Sequence, residues 1–206
     1  MKACALMSDG IDSPVATYLM AKKGVEITVI HANNSPDDDL DKVRRLVRAI
    51  AKASGQRLEL ITFDHYPNQE AFRAITPRWF HCLLCKRMMV RVASEMARRR
   101  GGEFVIMGDS LGQVASQTLA NIRVVEEASC LPIVRPLIGL DKLEIERIGR
   151  AAGTFEISIR EQARCSYVPE KPSLKGHLNK LHQLETRTDM GMLLSKSLDG
   201  VKEIPL

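Results

Sequence analysis

Aromatic residues are scarce in this sequence. They make up 4% of it, with one tryptophan, three tyrosines and five phenylalanines. Composition therefore argues against a base-stacking platform built from such side chains. Long apolar runs are missing too. The opening MKACALM leads into nothing with the length of a signal-peptide core, and no stretch could span a bilayer. The expectation is a cytoplasmic protein with no membrane contact. Repeats and low-complexity tracts are also absent. There are five cysteines, an odd number. In a reducing compartment, paired cysteines are expected as metal ligands or redox groups before structural disulfides.

What is present describes an ordinary globular chain. Its 206 residues suffice for one domain with a substantial core, and 45% are hydrophobic and 27% charged. The net charge of +5 suits a polyanionic partner without requiring one. Apolar and helical patterns alternate along the chain. Strands are expected at Lys2–Met7, Glu26–Ala32, Arg57–Phe63, Glu103–Met107 and Leu131–Val134. Helices are expected at Ser13–Lys23, Pro36–Ala53, Cys82–Arg99, Gln113–Glu127, Asp141–Ala152 and His177–Leu184, with an irregular stretch at Pro67–Phe80. This predicts an α/β fold, a doubly wound and mainly parallel five-stranded sheet. Residues 1–160 are expected to form the nucleotide-binding domain, and 161–206 a C-terminal loop and helix packed on it.

The stretch ALMSDGIDSPVATYLM, residues 5–20, joins the first strand to the first helix. Free N–H groups and the helix dipole favour an anion there. Gly10 allows close approach, and the hydroxyls of Ser8 and Ser13 can donate to phosphate oxygens. Asp12 is suited to holding Mg²⁺ or fixing the loop. A capped helix after a buried strand accounts for the same local sequence about equally well. Elsewhere, Cys82 and Cys85 stand three apart, which places both sulfurs on one helix face. That spacing fits a zinc half-site, a redox pair, iron–sulfur ligands or plain packing.

SDGIDSPVA at 8–16 resembles the PP-loop, S-G-G-x-D-S, of the ATP pyrophosphatases. With Pro14, Val15 and Ala16 the resemblance narrows to the tRNA 4-thiouridine synthetase (ThiI) family. MGDSLGQVASQTLANI at 107–122, RPLIGLDKLEI at 135–145, AGTFEISI at 152–159 and CSYVPEKPSLK at 165–175 resemble that family in the same order. The resemblance implies an adenine nucleotide alpha hydrolase-like fold. It implies an enzyme that adenylates a substrate oxygen, the O4 of a tRNA uridine, with ATP and Mg²⁺, and then replaces that oxygen with sulfur. ATP would lie over Ser8, Asp9, Gly10, Ile11, Asp12 and Ser13. Ile30 and His31 would lie near adenine, with Gly108, Asp109 and Gln113 as further contacts, and Arg135 and Lys142 against pyrophosphate. Asp12, Asp109 and Cys165 are the catalytic candidates. In archaeal-type members a C-x-x-C and a later cysteine hold an iron–sulfur cluster. The resemblance therefore assigns Cys82, Cys85 and Cys165 to a [4Fe–4S] or [3Fe–4S] centre. Cys4 and Cys130 are read as buried small hydrophobes.

Two departures from the family pattern stand out. Asp9 occupies the place of the first loop glycine. At about 4 Å and an effective dielectric of about 20, like charges repel by on the order of 4 kcal/mol. Asp9 must then point away, meet a cation or weaken nucleotide binding. The second departure concerns RNA. Family members carry a THUMP-containing RNA-binding region before the loop, whereas Met1 lies seven residues before Ser8. The expectation is that tRNA is recognised with a separate RNA-binding chain, that sulfide or a persulfide is the donor, and that a homodimer remains open. Two other readings stay open: a PP-loop enzyme acting on a small molecule, and a non-enzymatic iron–sulfur binding module. Lys86 and Arg87 are candidates for RNA phosphate or ATP. The charges of Lys42, Arg44, Arg45, Arg48 and Lys52 read as a solvated helix face.

Overall fold

The computed structural model describes residues 1–34, 40–113, 117–160 and 165–206. The strands are β1 (Lys2–Leu6), β2 (Glu26–Asn33), β3 (Leu58–Asp64), β4 (Phe104–Ile106), β5 (Ile133–Val134) and β6 (Lys202–Ile204). The helices are α1 (Asp12–Lys22), α2 (Leu40–Ser54), α3 (Tyr66–Ile75), α4 (His81–Arg99), α5 (Leu119–Glu126), α6 (Lys142–Ala151), α7 (Phe155–Ser158), α8 (Leu178–Glu185) and α9 (Met190–Asp199).

All strands join one sheet in the order β5-β4-β1-β2-β3-β6. It is parallel except where β6 runs antiparallel to β3. The expected sheet of five strands thus has a sixth. β6 is short and carries Lys202 and Glu203, so it lacks the apolar run that marks a strand in a sequence.

Alternation along each strand sorts side chains to two faces. Ala3, Ala5, Ile27, Val29, Phe104 and Ile106 pack with residues of α1, α2 and α6. Cys4, Ile30, Ala32, Val105 and Met107 pack with residues of α4, α5, α8 and α9. Both faces are covered, as a parallel sheet requires. The chain runs outward from β1 through β2 to β3, then returns to place β4 on the other side of β1. The strand order therefore reverses between β1 and β4, and ligands of such sheets bind in the crevice beyond those two strand ends.

Several local expectations shift. The 67–80 stretch forms α3, with Pro67 in its first turn, and a 3-10 turn at Arg78–Phe80. Proline there gives up an N–H that a helix start leaves unpaired anyway. α5 starts at Leu119 because the Thr118 side chain accepts the Asn121 N–H. Residues 114–116, part of the expected helix from Gln113, lie outside the described residues, as does the expected start of α2 at Pro36. Asp141 caps α6 in a full capping box with Glu144, as its position suggested. α9 was not anticipated; Leu193 and Leu198 on it reach the core.

One polar cluster fixes α4. Arg87 is fully buried at 0% exposure. Its Nε and Nη2 donate to the two carboxylate oxygens of Glu185 on α8, at 2.7 and 3.1 Å. Its Nη1 donates to the Val124 carbonyl and pairs with Glu127 at 2.8 Å. Arg91 grips the same Glu185 oxygens at 2.8 and 3.0 Å. This corrects the reading of Arg87 as a phosphate contact. Burial alone would raise the Glu185 carboxyl, but hydrogen bonds from Arg87 and Arg91 outweigh it and hold the carboxyl below its usual range. Because the folded value is depressed, the pair contributes fully above the unfolded carboxyl value near about 4.3 and is lost as pH falls through the folded value. Glu185→Ala is expected to cost about 3 kcal/mol in urea melts at neutral pH, the low end for a broken buried pair because Glu127 still meets Arg87. Glu185→Gln is expected to flatten the acid limb of the stability profile.

Candidate nucleotide and sulfur site

The phosphate loop is folded by its own serines. Ser8 N–H donates to Ser13 Oγ at 2.9 Å, the two hydroxyls lie 3.1 Å apart, and Gly10 N–H donates to Ser8 Oγ at 3.3 Å. The loop opens directly into α1. Gly108, at the end of β4, lies hard against it. A Cβ on Gly108 would sit 2.6 Å from the Ser13 N and Cα atoms and 2.8 Å from the Asp12 carbonyl carbon. Only glycine permits that approach, and it closes the crevice between β1 and β4. The resulting cleft is about 260 Å³ and is bordered by Ser8, Gly10, Ile11, Asp12, Ser13, Gly108 and Asp109. Leu6, Met7, Ala32, Met89 and Met107 add apolar wall suited to a flat ring.

Charge is balanced around this cleft. Asp109 is buried and accepts from Lys86 Nζ at 3.1 Å and from Arg135 Nε at 3.2 Å. Arg135 also pairs with Glu126. Its Nη2 is buried with no hydrogen-bond partner among the described residues. Lys86 itself borders the cleft. Asp12 is pushed up chiefly by burial and also by the Asp109 charge, while Lys142 and Lys86 act against the rise. A carboxyl in that position gains from a cation, so the residues fit Mg²⁺.

The cysteines lie at one end of this arrangement, on the helix that supplies Lys86 and Met89. Cys82 and Cys85 occupy the first turns of α4 and are half-buried; Cys165 is exposed. Burial pushes both helix thiols up. A charge on Cys165 raises Cys82 further, and charges on Cys82 and Cys165 raise Cys85. The three therefore form one electrostatic group. Among the described residues no three His, Cys, Asp or Glu side chains stand close enough to enclose a metal ion as they are placed. The three-thiol donor set itself suits iron or iron–sulfur chemistry, since metal charge would offset the thiolate repulsion. Gln69 connects this group to the cleft. Its Nε2 donates to Cys85 Sγ at 3.3 Å and to Asn34 Oδ1 at 3.0 Å, and its Oε1 bonds His81 Nε2 at 2.7 Å.

A family model described as thiamine biosynthesis protein (ThiI) matches residues 1–190. The chain belongs to the ThiI family. A probable tRNA sulfurtransferase from Methanosarcina mazei is 40% identical over 209 residues, spanning 100% of this chain and 52% of the relative. One from Thermococcus kodakarensis is 44% identical over 179 residues, spanning 85% and 47%. A crystal structure of a 4-thiouridine synthetase–RNA complex with bound ATP superposes with a TM-score of 0.93 at 32% identity, covering 99% of this chain and 55% of that one. The chain spans about half the length of the curated relatives it matches.

Against the ThiI resemblance, most expected contacts converge and some do not. Gly108, Asp109 and the loop residues other than Asp9 border the cleft, as does His31, whose Nδ1 bonds the Met7 carbonyl at 2.8 Å. Ile30 packs in the core, its carbonyl accepting from Met7 N–H at 2.9 Å. Gln113 donates to the Leu140 carbonyl at 3.3 Å and does not border the cleft, whereas Gln117 does. Ser116 lies outside the described residues. Lys142 is exposed at the start of α6. Cys4 is buried, its thiol pushed up to about 12 by that burial. Cys130 is exposed, contrary to expectation, because it lies in the turn before β5. Asn34, Gln69 and Met89 had no sequence signal; they matter only through the fold.

Asp9 turns away from the nucleotide cleft. Its carboxylate meets Lys42 Nζ at 3.3 Å. Lys42 is 3% exposed, not part of a solvated face, and also donates to the carbonyls of Ser158 and Arg160 at 3.1 and 3.0 Å. Ser158 in turn donates its hydroxyl to the Gly10 carbonyl at 2.9 Å. Asp9 shares the negative φ of every described non-glycine residue, so no left-handed turn is needed.

Two predictions follow from this geometry, both read by calorimetry with a magnesium complex of a non-hydrolysable ATP analogue. Gly108→Ala is expected to weaken binding about tenfold or more, because overpacking against the loop backbone costs roughly 1–3 kcal/mol. An unchanged affinity would mean the loop yields freely. Lys42→Met is expected to weaken binding about tenfold by releasing the Asp9 carboxylate. The double variant Asp9→Gly with Lys42→Met should recover most of the loss, and no recovery would show that Lys42 acts on folding alone.

Proposed function

We propose that this chain is the nucleotide-activating and sulfur-handling half of an ATP-dependent tRNA sulfurtransferase. The observation that carries the reading is the layout of α4. It brings Cys82 and Cys85 within about two turns of Lys86 and Met89, which border the nucleotide cleft. An activated oxygen and a sulfur source are thereby served from one helix. The relatives named as tRNA sulfurtransferases and the ATP-bound 4-thiouridine synthetase support the same reading.

In this mechanism the loop of Ser8, Gly10 and Ser13 receives the triphosphate. Uridine O4 attacks the α-phosphorus, the bond to the β-phosphate oxygen breaks, and pyrophosphate leaves. Lys86, which borders the cleft, would meet the negative charge on that leaving group, and Lys142, whose charge acts on Asp12, would be a second cation. Asp109, gripped by Lys86 and Arg135, keeps Lys86 directed along the cleft. Asp12 would hold Mg²⁺, which when bound spreads the phosphate charge. Sulfide, free or released from a persulfide when a second thiol attacks its inner sulfur and forms a disulfide, then attacks C4, and AMP departs with the former oxygen. Cys82, Cys85 and Cys165 would hold an iron–sulfur cluster, which when bound supplies an iron able to keep sulfide. Three protein ligands suit a [4Fe–4S] form with one open iron.

Among the described residues no helix is long and apolar enough to cross a membrane. The reading places the chain in the cytoplasm, with tRNA as the acceptor. Pyrophosphate release is expected to depend on the acceptor RNA. Deletion of the gene is expected to remove 4-thiouridine from digested tRNA, read by mass spectrometry; an unchanged level would point to another acceptor. Anaerobic iron and sulfide analysis with electron paramagnetic resonance is expected to find iron in the wild type and little in Cys165→Ala. Iron content that survives that substitution would remove Cys165 from the ligand set.

A further inference from the structure

A second concavity, larger than the nucleotide cleft, adjoins the cysteine neighbourhood. A cavity of about 550 Å³ lies on α3, the Arg78–Phe80 turn and the residues just after Cys165. Its wall includes His81, next to Cys82, and Ser166 and Tyr167, next to Cys165. Nothing in the nucleotide chemistry uses it.

Its side chains are unusual for this chain. Tyrosine and tryptophan together number four, three tyrosines and one tryptophan. Tyr66 and Tyr167 border the cavity, and Trp79 follows the wall residue Arg78 in the chain. Tyr167 stacks flat on His81, with ring centres 5.1 Å apart and planes 4° apart, and Tyr66 meets Tyr167 edge-on at 6.4 Å. Tyr66 is 37% exposed and Trp79 53% exposed. Arg73 and Arg78 supply positive charge at the same wall. Glu70 bonds the Tyr167 hydroxyl and Arg73, which anchors the stack and leaves a carboxylate able to accept from a base N–H.

Exposed aromatic faces beside arginines are how proteins hold unpaired nucleotides: rings stack on bases and guanidinium groups meet phosphates. A sulfide ion would need none of this volume. We propose that this cavity binds a single-stranded RNA segment, one or two unstacked nucleotides next to the acceptor, and holds them beside Cys82 and Cys165. The inference rests on the reading of this chain as a tRNA sulfurtransferase. It also revises the composition argument: two of the three tyrosines border one cavity.

The single tryptophan makes the test direct. Hexauridylate is titrated into the full chain while Trp79 fluorescence is followed, with calorimetry of the ATP analogue run in parallel. The expected result is saturable quenching that weakens with salt. Tyr66→Ala and Arg78→Ala, each checked by thermal melting for an intact fold, should raise the apparent Kd about tenfold. Arg78→Ala should also lower the log–log salt slope by about 0.7, the loss of one phosphate contact on a single strand. Absent quenching, or quenching indifferent to both substitutions, overturns the proposal. So does a response to a cysteine-persulfide peptide with none to RNA, which would give the cavity to a protein donor. Retained ATP-analogue binding in either case leaves the sulfurtransferase reading standing, so the two failures are distinguishable.

Discussion

A buried guanidinium organises this molecule. Arg87 has no water to turn to, so its stability depends on Glu185, Glu127 and the Val124 carbonyl being in place together. Those partners come from α8 and from α5 and the residue after it, and their meeting sets how α4 rotates against the sheet. That rotation decides the rest. Positions 82 and 85 are turned to the sulfur group, 86 and 89 to the nucleotide cleft, and 87 inward. A helix rotated by one residue would carry a charge into the core and a thiol away from Cys165. Desolvating such a group is expensive unless every partner is supplied, which makes the arrangement close to all-or-none.

How much could be read beforehand divides along the range of the interactions. The strands were legible because their side chains alternate or run apolar over several residues. The start of α6 at Asp141 was legible because its cap is local. The phosphate loop was legible because the bonds among Ser8, Gly10 and Ser13 join residues no more than five apart. What was missed depends on residues distant in sequence. Lys42 looked like one charge among several on a helix face, yet its partners are at 9, 158 and 160. Gln69 stood in a stretch that read as irregular and carried no signal, yet it touches Asn34, His81 and Cys85. Cys130 was misread because burial of a cysteine in a turn depends on what covers the turn. β6 had too little apolar content to announce itself.

Asp9 shows how a departure from a family pattern can be absorbed. The loop glycine of the pattern needs neither a partner nor space, and an aspartate needs both. The protein supplies them by burying Lys42, whose other bonds reach the backbone at the end of α7. The carboxylate therefore adds to loop rigidity where it would otherwise repel phosphate. The site has changed its sequence at one position and kept its electrostatic balance through another, far away.

The antiparallel β6 has a consequence for how the chain is made. It covers the outer edge of β3, pairing Leu60 with Ile204, and it follows the other described strands in the chain. Until β6 is made, β3 presents an open row of amides, the kind of edge that recruits other chains. Arg87 waits similarly for Glu185, 98 residues later. Synthesis therefore passes through a long interval in which most of the sheet exists, but its edge is bare and its central helix carries an unanswered charge. Slow, late closure of this kind favours chaperone protection during translation.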